Sequence, residues 1–362
     1  MGAQPGDCTD SNTFTLPNHT NLSDQECAEA IAEHFASISR EYPALDLDQL
    51  PERVKLRLRD KSAPPNISEL DCYEKLVKAK KPKSEVPGDL PSAVVKEFTV
   101  ELAAPLSKLL NNIVQSASWP DHYKVEYVTP IGKVPQPESE DDIRPISLTN
   151  FFSKVMEHFV VMWLLDIIGN KMDFRQYGGV KGNSVSHYLI EFLNFILYSQ
   201  DDPEPTAVLA CLVDFAKAFN RQDHSILVTK LSDLGVPSWL LKLVISFLQN
   251  RSMIVKYKGK MSGCKMLPGG GPQGTLLGLL LFLILINDVG FSDQRNDLGE
   301  VITCKRRVRE FNEIHLKFVD DLTIGEAIKM KDILDYLPDD VRPLPDLYTV
   351  YTVYTVYTVY TV

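Results

Sequence analysis

Two adjacent carboxylates, Asp320 and Asp321, are the residues of this sequence whose placement points most directly to chemistry. Short runs of β-prone, mostly apolar residues flank them at 316–319 and 322–324. The pattern predicts a β-hairpin with Asp320-Asp321 as its turn, so that both carboxylates project from the end of a paired sheet. Neighbouring carboxylates repel unless a cation holds them, and Mg²⁺ prefers carboxylate oxygens. The alternative is an ordinary solvated surface turn.

A third carboxylate stands at the end of another predicted strand. Residues 207–213 are almost entirely apolar, and Asp214 and Phe215 follow them. A buried strand that ends in a carboxylate is a common arrangement at metal sites. Residues 216–220 are then predicted to turn into a helix. Asp214 and Asp320 are 106 positions apart, so only the fold can bring them together.

A glycine-rich loop at residues 267–275 is the second chemically informative stretch. Three consecutive glycines precede Pro272-Gln273-Gly274, and the apolar run 276–286 that follows predicts a buried helix. Glycines let the backbone approach a ligand closely, and a helix N-terminus favours phosphate or a polar sugar. The loop is therefore a candidate ligand-binding loop.

Two basic residues, Lys133 and Arg144, lie near the facing ends of two predicted strands, residues 125–131 and 144–149. An acidic loop at 138–142 lies between the strands. Surface ion pairing with the acidic loop is the ordinary interpretation of two such cations.

Helical periodicity accounts for much of the remaining chain. Ser23 and Glu26 form a predicted capping box, and Ser68 is a predicted N-cap. The predicted helices cover residues 22–35, 68–76, 92–116 with an interruption at Pro105, 153–168, 184–199, 225–234 and 238–248.

Composition places the chain among globular proteins. Its 362 residues are 44% hydrophobic, and its net charge of -10 argues against a protein that coats nucleic acid indiscriminately. The six cysteines contain no CxxC pair, so neither a zinc site nor a disulfide scaffold is indicated. The N-terminus lacks a signal-peptide pattern, and the longest apolar run, 11 residues, is too short for a bilayer. We therefore expect an intracellular protein without a membrane segment.

The two ends of the chain differ in character from its centre. Residues 1–20 are polar and turn-rich, and we expect them to be disordered. Residues 346–362 form a low-complexity tail that includes five copies of Tyr-Thr-Val. This repeat has strong β-propensity and some aggregation risk. We nevertheless expect low order after about Pro345.

Five motifs occur in an order that is typical of one protein family. They are Arg144-Pro-Ile-Ser-Leu148, Gln176-Tyr-Gly-Gly179, Val213-Asp-Phe-Ala-Lys-Ala-Phe219, Gly271-Pro-Gln-Gly-Thr-Leu-Leu-Gly278 and Phe318-Val-Asp-Asp321. Together they resemble the reverse transcriptase domain of non-LTR (LINE-type) retrotransposons. The resemblance runs from about residue 125 to 326, and residues 60–120 are similar to the segment that usually precedes the domain.

The resemblance implies an α+β fold of the right-hand polymerase type, with fingers and a palm whose antiparallel sheet carries packed helices. With the composition of the two ends, the expected domains are a disordered N-terminus at 1–20, a helical N-terminal extension at 21–119, a fingers-palm domain at 120–345 and the low-complexity tail at 346–362. Few credible residues follow the hairpin. We therefore expect a domain truncated after the catalytic hairpin, with no thumb.

The resemblance also assigns roles to individual residues. Asp214, Asp320 and Asp321 are the implied catalytic carboxylates and hold two Mg²⁺ ions, for which Mn²⁺ is a possible substitute. Phe215 is implied to offer its backbone to metal and triphosphate. The remaining implied substrate-binding residues are Lys133 and Arg144 for the triphosphate, Phe219 as the gate against a ribose 2′-hydroxyl, and Gln273 and Gly274 for the nucleotide and the templating base.

The expected function is therefore an RNA-directed DNA polymerase, a nucleotidyltransferase that extends a primer 3′-hydroxyl with deoxynucleotides on an RNA template. The expected partners are the RNA template, the DNA primer and deoxynucleoside triphosphates. Two departures from the family pattern, Asn220 and Leu279, remove no metal ligand. The alternatives are an inactive truncated retroelement fragment with residual nucleic-acid binding, and a domesticated interaction protein that uses the helical N-terminal region.

Overall fold

The computed structural model describes residues 14–79, 86–201, 206–215, 217–289, 313–329 and 354–360. Residues 1–13 of the predicted disordered N-terminus and residues 346–353, 361 and 362 of the tail lie outside these ranges. The chain divides into two compact units. The first unit comprises Met1–Gly169 and Phe219–Ile284, and the second comprises Asn170–Ala218 and Leu285–Val362.

Helices and strands are mixed along the chain, in agreement with the predicted α+β class. The helices are α1 (Asp24–Ser39), α2 (Glu52–Arg59), α3 (Glu69–Lys78), α4 (Ser92–Glu97), α5 (Thr99–Ser116), α6 (Phe151–Ile168), α7 (Val185–Gln200), α8 (His224–Asp233), α9 (Ser238–Leu248) and α10 (Leu276–Leu285). The strands are β1 (Val125–Gly132), β2 (Ile143–Leu148), β3 (Thr206–Phe215), β4 (Arg251–Tyr257), β5 (Lys260–Met261), β6 (Lys265–Leu267), β7 (Glu313–Phe318), β8 (Asp321–Lys329) and β9 (Tyr354–Tyr360).

Side-chain caps start helices α1 and α3 where the sequence predicts them. Ser23 and Glu26 form the capping box of α1, and Ser68 with Asp71 forms that of α3. Each box satisfies backbone N–H groups that have no partner within the first helical turn. Both predicted helix starts are confirmed.

The long helix predicted over residues 92–116 is interrupted at a different position. The break between α4 and α5 lies at Phe98, and Pro105 lies inside α5. The Thr99 hydroxyl donates to the backbone oxygens of Val95 (3.0 Å) and Lys96 (2.9 Å). The hydroxyl of Thr99 thus provides these two carbonyl groups with a hydrogen-bond donor where α4 ends, so they do not need donors from a continuing helical backbone.

The first unit contains a sheet with the order β2-β1-β4-β5, in which β6 also pairs with β4. Strands β1 and β2 are antiparallel, whereas β1 and β4 are parallel. Helix α1 covers this sheet through Ile31 and Phe35, which belong to the same buried cluster as Val128 and Val255. Burial of these apolar side chains fixes the sheet from which the β1–β2 hairpin extends.

The chain is ordered earlier than the sequence predicts. The predicted disorder of residues 1–20 is wrong for residues 14–20, which include a short 3₁₀-helix at Pro17–His19. Leu16 is only 1% exposed, and the Tyr257 hydroxyl donates to the backbone oxygen of Phe14 at 2.6 Å. Two apolar residues therefore anchor a segment whose overall composition is polar.

The second unit contains a sheet with the order β7-β8-β3-β9. Pairs β7–β8 and β3–β8 are antiparallel, and β9 pairs with β3 in parallel. The expectation of low order after about Pro345 therefore differs from the structure at Tyr354–Tyr360, which form β9. The physical reason is the high β-propensity of Tyr, Thr and Val, which suits pairing along the edge of β3.

The predicted helix directly after β3 is not formed at residues 217–221, which are turns. Lys217 has a φ of 55°, a left-handed value that no right-handed helix accommodates. Helix α8 begins only at His224, where the Asp223 carboxylate accepts from the N–H groups of Ser225 and Ile226. The cap at Asp223 therefore sets the start of the helix.

Within the described residues, every helix is too short or too polar to cross a lipid bilayer.

Candidate active site

Two of the predicted catalytic carboxylates occupy paired positions on neighbouring strands of the second unit. Asp214 near the end of β3 lies opposite Asp321 at the start of β8. Directly opposed residues of an antiparallel pair have Cβ atoms about 4.5–5.5 Å apart. Asp320 immediately precedes Asp321. The fold thus brings together backbone positions that are more than 100 residues apart in the sequence.

The hairpin that carries Asp320 has a different turn from the predicted one. Phe318 pairs with Asp321, so the two turn residues are Val319 and Asp320, not Asp320 and Asp321. Asp321 is already part of β8 and is exposed, whereas Asp320 is half-buried within the turn. The shift of one residue follows from the pairing of Asp321 with both Phe318 and Asp214.

Phe215 is the last residue of β3, directly after Asp214. On the other edge of β3, Asp214 and Phe215 pair with Val359 and Tyr360 of β9. The end of β3 therefore lies between β8 and β9.

The donor set suits a hard divalent cation. Three carboxylates at adjacent strand ends supply the oxygen ligands that Mg²⁺ and Mn²⁺ accept. Among the side chains that the structure describes, no group of three His, Cys, Asp or Glu residues could hold a metal ion. The Asp214 side chain is not among those described, so the backbone register, together with the chemistry of the three residues, is what supports a metal site.

The sequence did not predict the buried ion pair between Lys317 and Asp173 near the carboxylate hairpin. Lys317 on β7 is 2% exposed, and its Nζ lies 3.0 Å from Asp173 Oδ2 and donates to the backbone oxygens of Ile286 and Asn287. Burial lowers the pKa of Lys317, while Asp173 acts in the opposite direction. The only sequence signal was a lysine inside a strand of mainly apolar residues.

The other predicted site residues, Lys133, Arg144, Phe219, Gln273 and Gly274, belong to the first unit. Arg144 on β2 pairs with Ile131 of β1, two residues before Lys133. Lys133 Nζ donates to the backbone oxygen of Asp141 at 2.7 Å. Arg144 is exposed, and no described carboxylate lies within ion-pair distance of it. The acidic loop thus holds Lys133 through a carbonyl group.

The glycine-rich loop is attached by its backbone to two predicted site elements. The Ser147 N–H of β2 donates to the Gln273 carbonyl at 3.1 Å, and the Gly271 N–H donates to the Phe219 carbonyl at 2.7 Å. The Phe219 ring packs against Phe282 of α10, with ring centroids 5.0 Å apart. Within the first unit, the fold therefore joins Phe219, the loop that carries Gln273, and strand β2.

Two buried glutamates support this loop, and the sequence reasoning missed both. Glu157 Oε2 accepts from the Leu277 N–H at the start of α10, and burial raises the pKa of Glu157 to about 7. Glu126 pairs with Arg251 at 2.9 Å and accepts from the Ser147 hydroxyl at 2.6 Å. Glu126, Ser147, Arg251 and Gln273 are among the residues that line a cavity of about 30 Å³.

Comparisons with known proteins agree with these features. A family model described as reverse transcriptase (RNA-dependent DNA polymerase) matches residues 134–339. The probable RNA-directed DNA polymerase from transposon BS of Drosophila melanogaster is 26% identical over 280 residues, which are 74% of this chain and 30% of the relative. The RNA-directed DNA polymerase from mobile element jockey of the same species is 26% identical over 216 residues, 58% of this chain and 23% of the relative.

A third relative, the probable RNA-directed DNA polymerase from transposon X-element of Drosophila melanogaster, is 25% identical over 268 residues, 72% of this chain and 29% of the relative. The chain therefore spans less than a third of the length of these curated relatives. Because the family model matches more than half of the 362 residues, the chain belongs to the reverse transcriptase (RNA-dependent DNA polymerase) family.

Proposed function

We propose that this chain contains the catalytic core of an RNA-directed DNA polymerase, which extends a primer 3′-hydroxyl with deoxynucleotides on an RNA template. The observation that carries the proposal is the pairing of Asp214 with Asp321, next to Asp320, in a chain of the reverse transcriptase family. The names of its relatives support the same activity.

In this proposal, Asp214, Asp320 and Asp321 hold two Mg²⁺ ions, with the Phe215 carbonyl as a further oxygen ligand. When bound, the ions stabilise the charge that develops on the attacking 3′-oxygen, the α-phosphate and the leaving pyrophosphate. The contribution of the protein is to hold three carboxylates at fixed strand ends, which orients the reacting groups before the transition state.

The first-unit residues act on the nucleotide. Arg144 is exposed and is able to form a forked contact with phosphate oxygens. Lys133 adds a second positive charge from the neighbouring strand. Gln273 and Gly274 contact the nucleotide and the templating base, and Phe219 excludes a ribose 2′-hydroxyl. The β1–β2 hairpin then corresponds to the fingers, and the sheet of β3, β7 and β8 to the palm.

The experiment is primer extension on an RNA template, with the purified chain at low salt and with Mg²⁺ or Mn²⁺. Asp320→Ala should lower the rate by about 1,000-fold or more, because several kcal/mol of charge stabilisation are lost. Glu326→Gln is the matched control, since Glu326 is an exposed carboxylate on β8. It should change the rate by less than about twofold.

Absence of extension by the parent chain with either ion would reject the polymerase proposal. Retained, salt-sensitive binding of RNA or DNA in that case would favour the inactive fragment, because phosphate contacts weaken as salt rises. Absence of both extension and binding would favour an interaction protein.

A further inference from the structure

The turn of the carboxylate hairpin contains a residue in an unfavourable conformation. Val319 is the first of the two turn residues and has a φ of 58°. Two-residue hairpin turns of type II′ need a positive φ at this position and therefore favour glycine. A β-branched side chain there is a genuine outlier. Such conformations persist only where surrounding groups hold them, and they cluster at functional sites.

The side chain of Gln176 supplies that hold. Its Oε1 accepts from the N–H groups of Val319 and Gly178, both at 2.9 Å, and its Nε2 donates to the Val319 carbonyl at 3.3 Å. Two N–H donors that point at one atom identify that atom as the amide oxygen. Gln176 is 3% exposed, so water does not compete for these bonds. Both backbone polar groups of Val319 are therefore bound by one side chain.

The segment that carries Gln176 is itself attached to β7. The Lys317 N–H donates to the Arg175 carbonyl at 2.9 Å, and the Tyr177 N–H donates to the Lys317 carbonyl at 2.8 Å. A Cβ atom on Gly178 would lie 2.5 Å from the Val319 nitrogen, closer than Cβ atoms approach any neighbour. Only glycine at residue 178 lets the segment lie this close to the turn.

A buried network fixes the beginning of the same segment. The Asp173 N–H donates to Asn287 Oδ1 at 2.7 Å, and the Asp173 carboxylate lies 3.0 Å from Lys317 Nζ. Asp173 is therefore held both by its backbone and by its side chain. This arrangement pre-organises Gln176 before any ligand binds.

We propose that Gln176 is a positioning residue for the catalytic carboxylates. It stabilises Val319 at positive φ and so sets the direction of Asp320 and the register of Asp321. This inference rests on the proposed polymerase function. Gln176 itself contacts the turn, not the substrate, and its effect on the reaction passes through the backbone of Val319.

The kinetic test compares Gln176→Met with the double variant Gln176→Met/Val319→Gly. Methionine fills a similar volume without hydrogen bonds, and kcat should fall about 10- to 100-fold, as when groups that orient metal ligands are removed. KM for the deoxynucleotide should change less than about threefold, because binding is not the step affected. Glycine adopts a positive φ without strain, so the double variant should recover at least about fivefold in kcat.

Asn183→Ala is the matched control. Asn183 donates to the backbone carbonyl of Gln176 at 3.2 Å, so the control removes a bond to the same residue without touching the turn. It should leave kcat within about twofold of the parent value. An unchanged kcat in Gln176→Met, or no recovery on adding Val319→Gly, would overturn the proposal.

Hydrogen exchange followed by mass spectrometry gives a readout that does not depend on activity. Peptides that cover residues 316–322 should exchange faster in Gln176→Met than in the parent chain, while peptides from β1 and β2 remain unchanged. Equal exchange at 316–322 would overturn the role of Gln176 even if the parent chain extends no primer. Inactivity of the parent chain with faster exchange in the variant would reject only the polymerase function.

If Gln176→Met does not fold, the double variant Gln176→Met/Val319→Gly tests the proposal instead. A folded and active double variant would show that strain at Val319 is what Gln176 relieves. Failure of both variants to fold would assign Gln176 to the stability of the unit as a whole and would overturn the positioning role.

Discussion

Glu157 Oε2 accepts a hydrogen bond from the Leu277 N–H at 3.2 Å, so a fully buried carboxyl group lies at the start of the helix that follows the glycine-rich loop. Burial raises its pKa from 4.5 to about 7. Between these two pH values, the folded chain binds more protons at this position than the unfolded chain does. Stability therefore falls as pH rises through this window.

The first prediction concerns this dependence on pH. The free energy of unfolding, measured with urea between pH 4.5 and 8, should contain a decline of roughly 3 kcal/mol that Glu157→Gln removes. Glu101→Gln is the control, since Glu101 is exposed on α5. It should retain the decline of the parent chain. The same decline in Glu157→Gln would contradict the prediction.

The second prediction concerns the buried pair of Lys317 and Asp173, which are 2% and 1% exposed in their side chains. Lys317→Met should lower the free energy of unfolding by up to about 3–5 kcal/mol, because the buried Asp173 carboxylate then keeps only Arg175, 3.3 Å from Oδ1, as a cation. Lys317→Met/Asp173→Asn should recover part of this loss. Urea denaturation measures all three chains.

Arg53→Met is the comparison for the buried pair. Arg53 and Asp233 form a two-bond ion pair with side chains that are 61% and 48% exposed. The loss there should be at most about 1 kcal/mol, since exposed pairs contribute little. Similar losses in the free energy of unfolding for Arg53→Met and Lys317→Met would show that burial does not determine how much an ion pair contributes to stability.

The third prediction concerns the backbone of the glycine-rich loop. Gly270 has a φ of 79°, and a Cβ atom on it would lie 2.7 Å from the Asn220 carbonyl oxygen. Gly182 has a φ of 91° but open space around the position of a Cβ. Gly182→Ala should lower the free energy of unfolding by about 1–2 kcal/mol, because alanine is strained at this positive φ. Gly270→Ala should lower the free energy of unfolding by at least about 1 kcal/mol more than Gly182→Ala does, because the new Cβ atom would collide with the Asn220 carbonyl oxygen. Equal losses for the two variants in thermal or urea unfolding would contradict this effect of the collision.

The fourth prediction concerns the sugar gate of the proposed polymerase. Phe219→Ala or Phe219→Val should admit ribonucleotides, and discrimination should fall by about tenfold or more if the ring lies against the sugar. Primer extension with paired ribo- and deoxynucleotides measures the ratio of kcat/KM values. Phe282→Leu changes the ring that packs on Phe219 and should keep the selectivity. Unchanged selectivity in an active Phe219 variant would reject the gate.

Local signals in the sequence predicted the parts of the fold that depend on neighbouring residues. The helix starts at Ser23 and Ser68 follow from capping boxes that lie within four residues. The helix break at Phe98 was not predicted. The low helix propensity of proline indicated a break at Pro105, whereas the hydrogen bond from the Thr99 hydroxyl to the Val95 carbonyl accompanies the break at Phe98.

The candidate site shows the same division. The pattern around Asp320 predicted the hairpin, but the turn is shifted by one residue because Asp321 pairs with Phe318 and Asp214. Buried polar residues such as Glu157 and Lys317 were missed, since their burial depends on partners far away in the sequence. The roles of Lys133, Arg144, Phe219, Gln273 and Gly274 stay predictions.

Strand β9 places a three-residue repeat against the edge of β3, with Tyr354 opposite Leu209 and Tyr357 opposite Leu212. Sliding the tail by one repeat brings a chemically identical residue to every pairing position. The sequence of the tail therefore specifies the register of this pairing only weakly, because other alignments place the same residue types opposite β3. Gain or loss of a whole Tyr-Thr-Val unit would leave the partner of every β3 residue unchanged in type, so this sheet edge tolerates variation in repeat number.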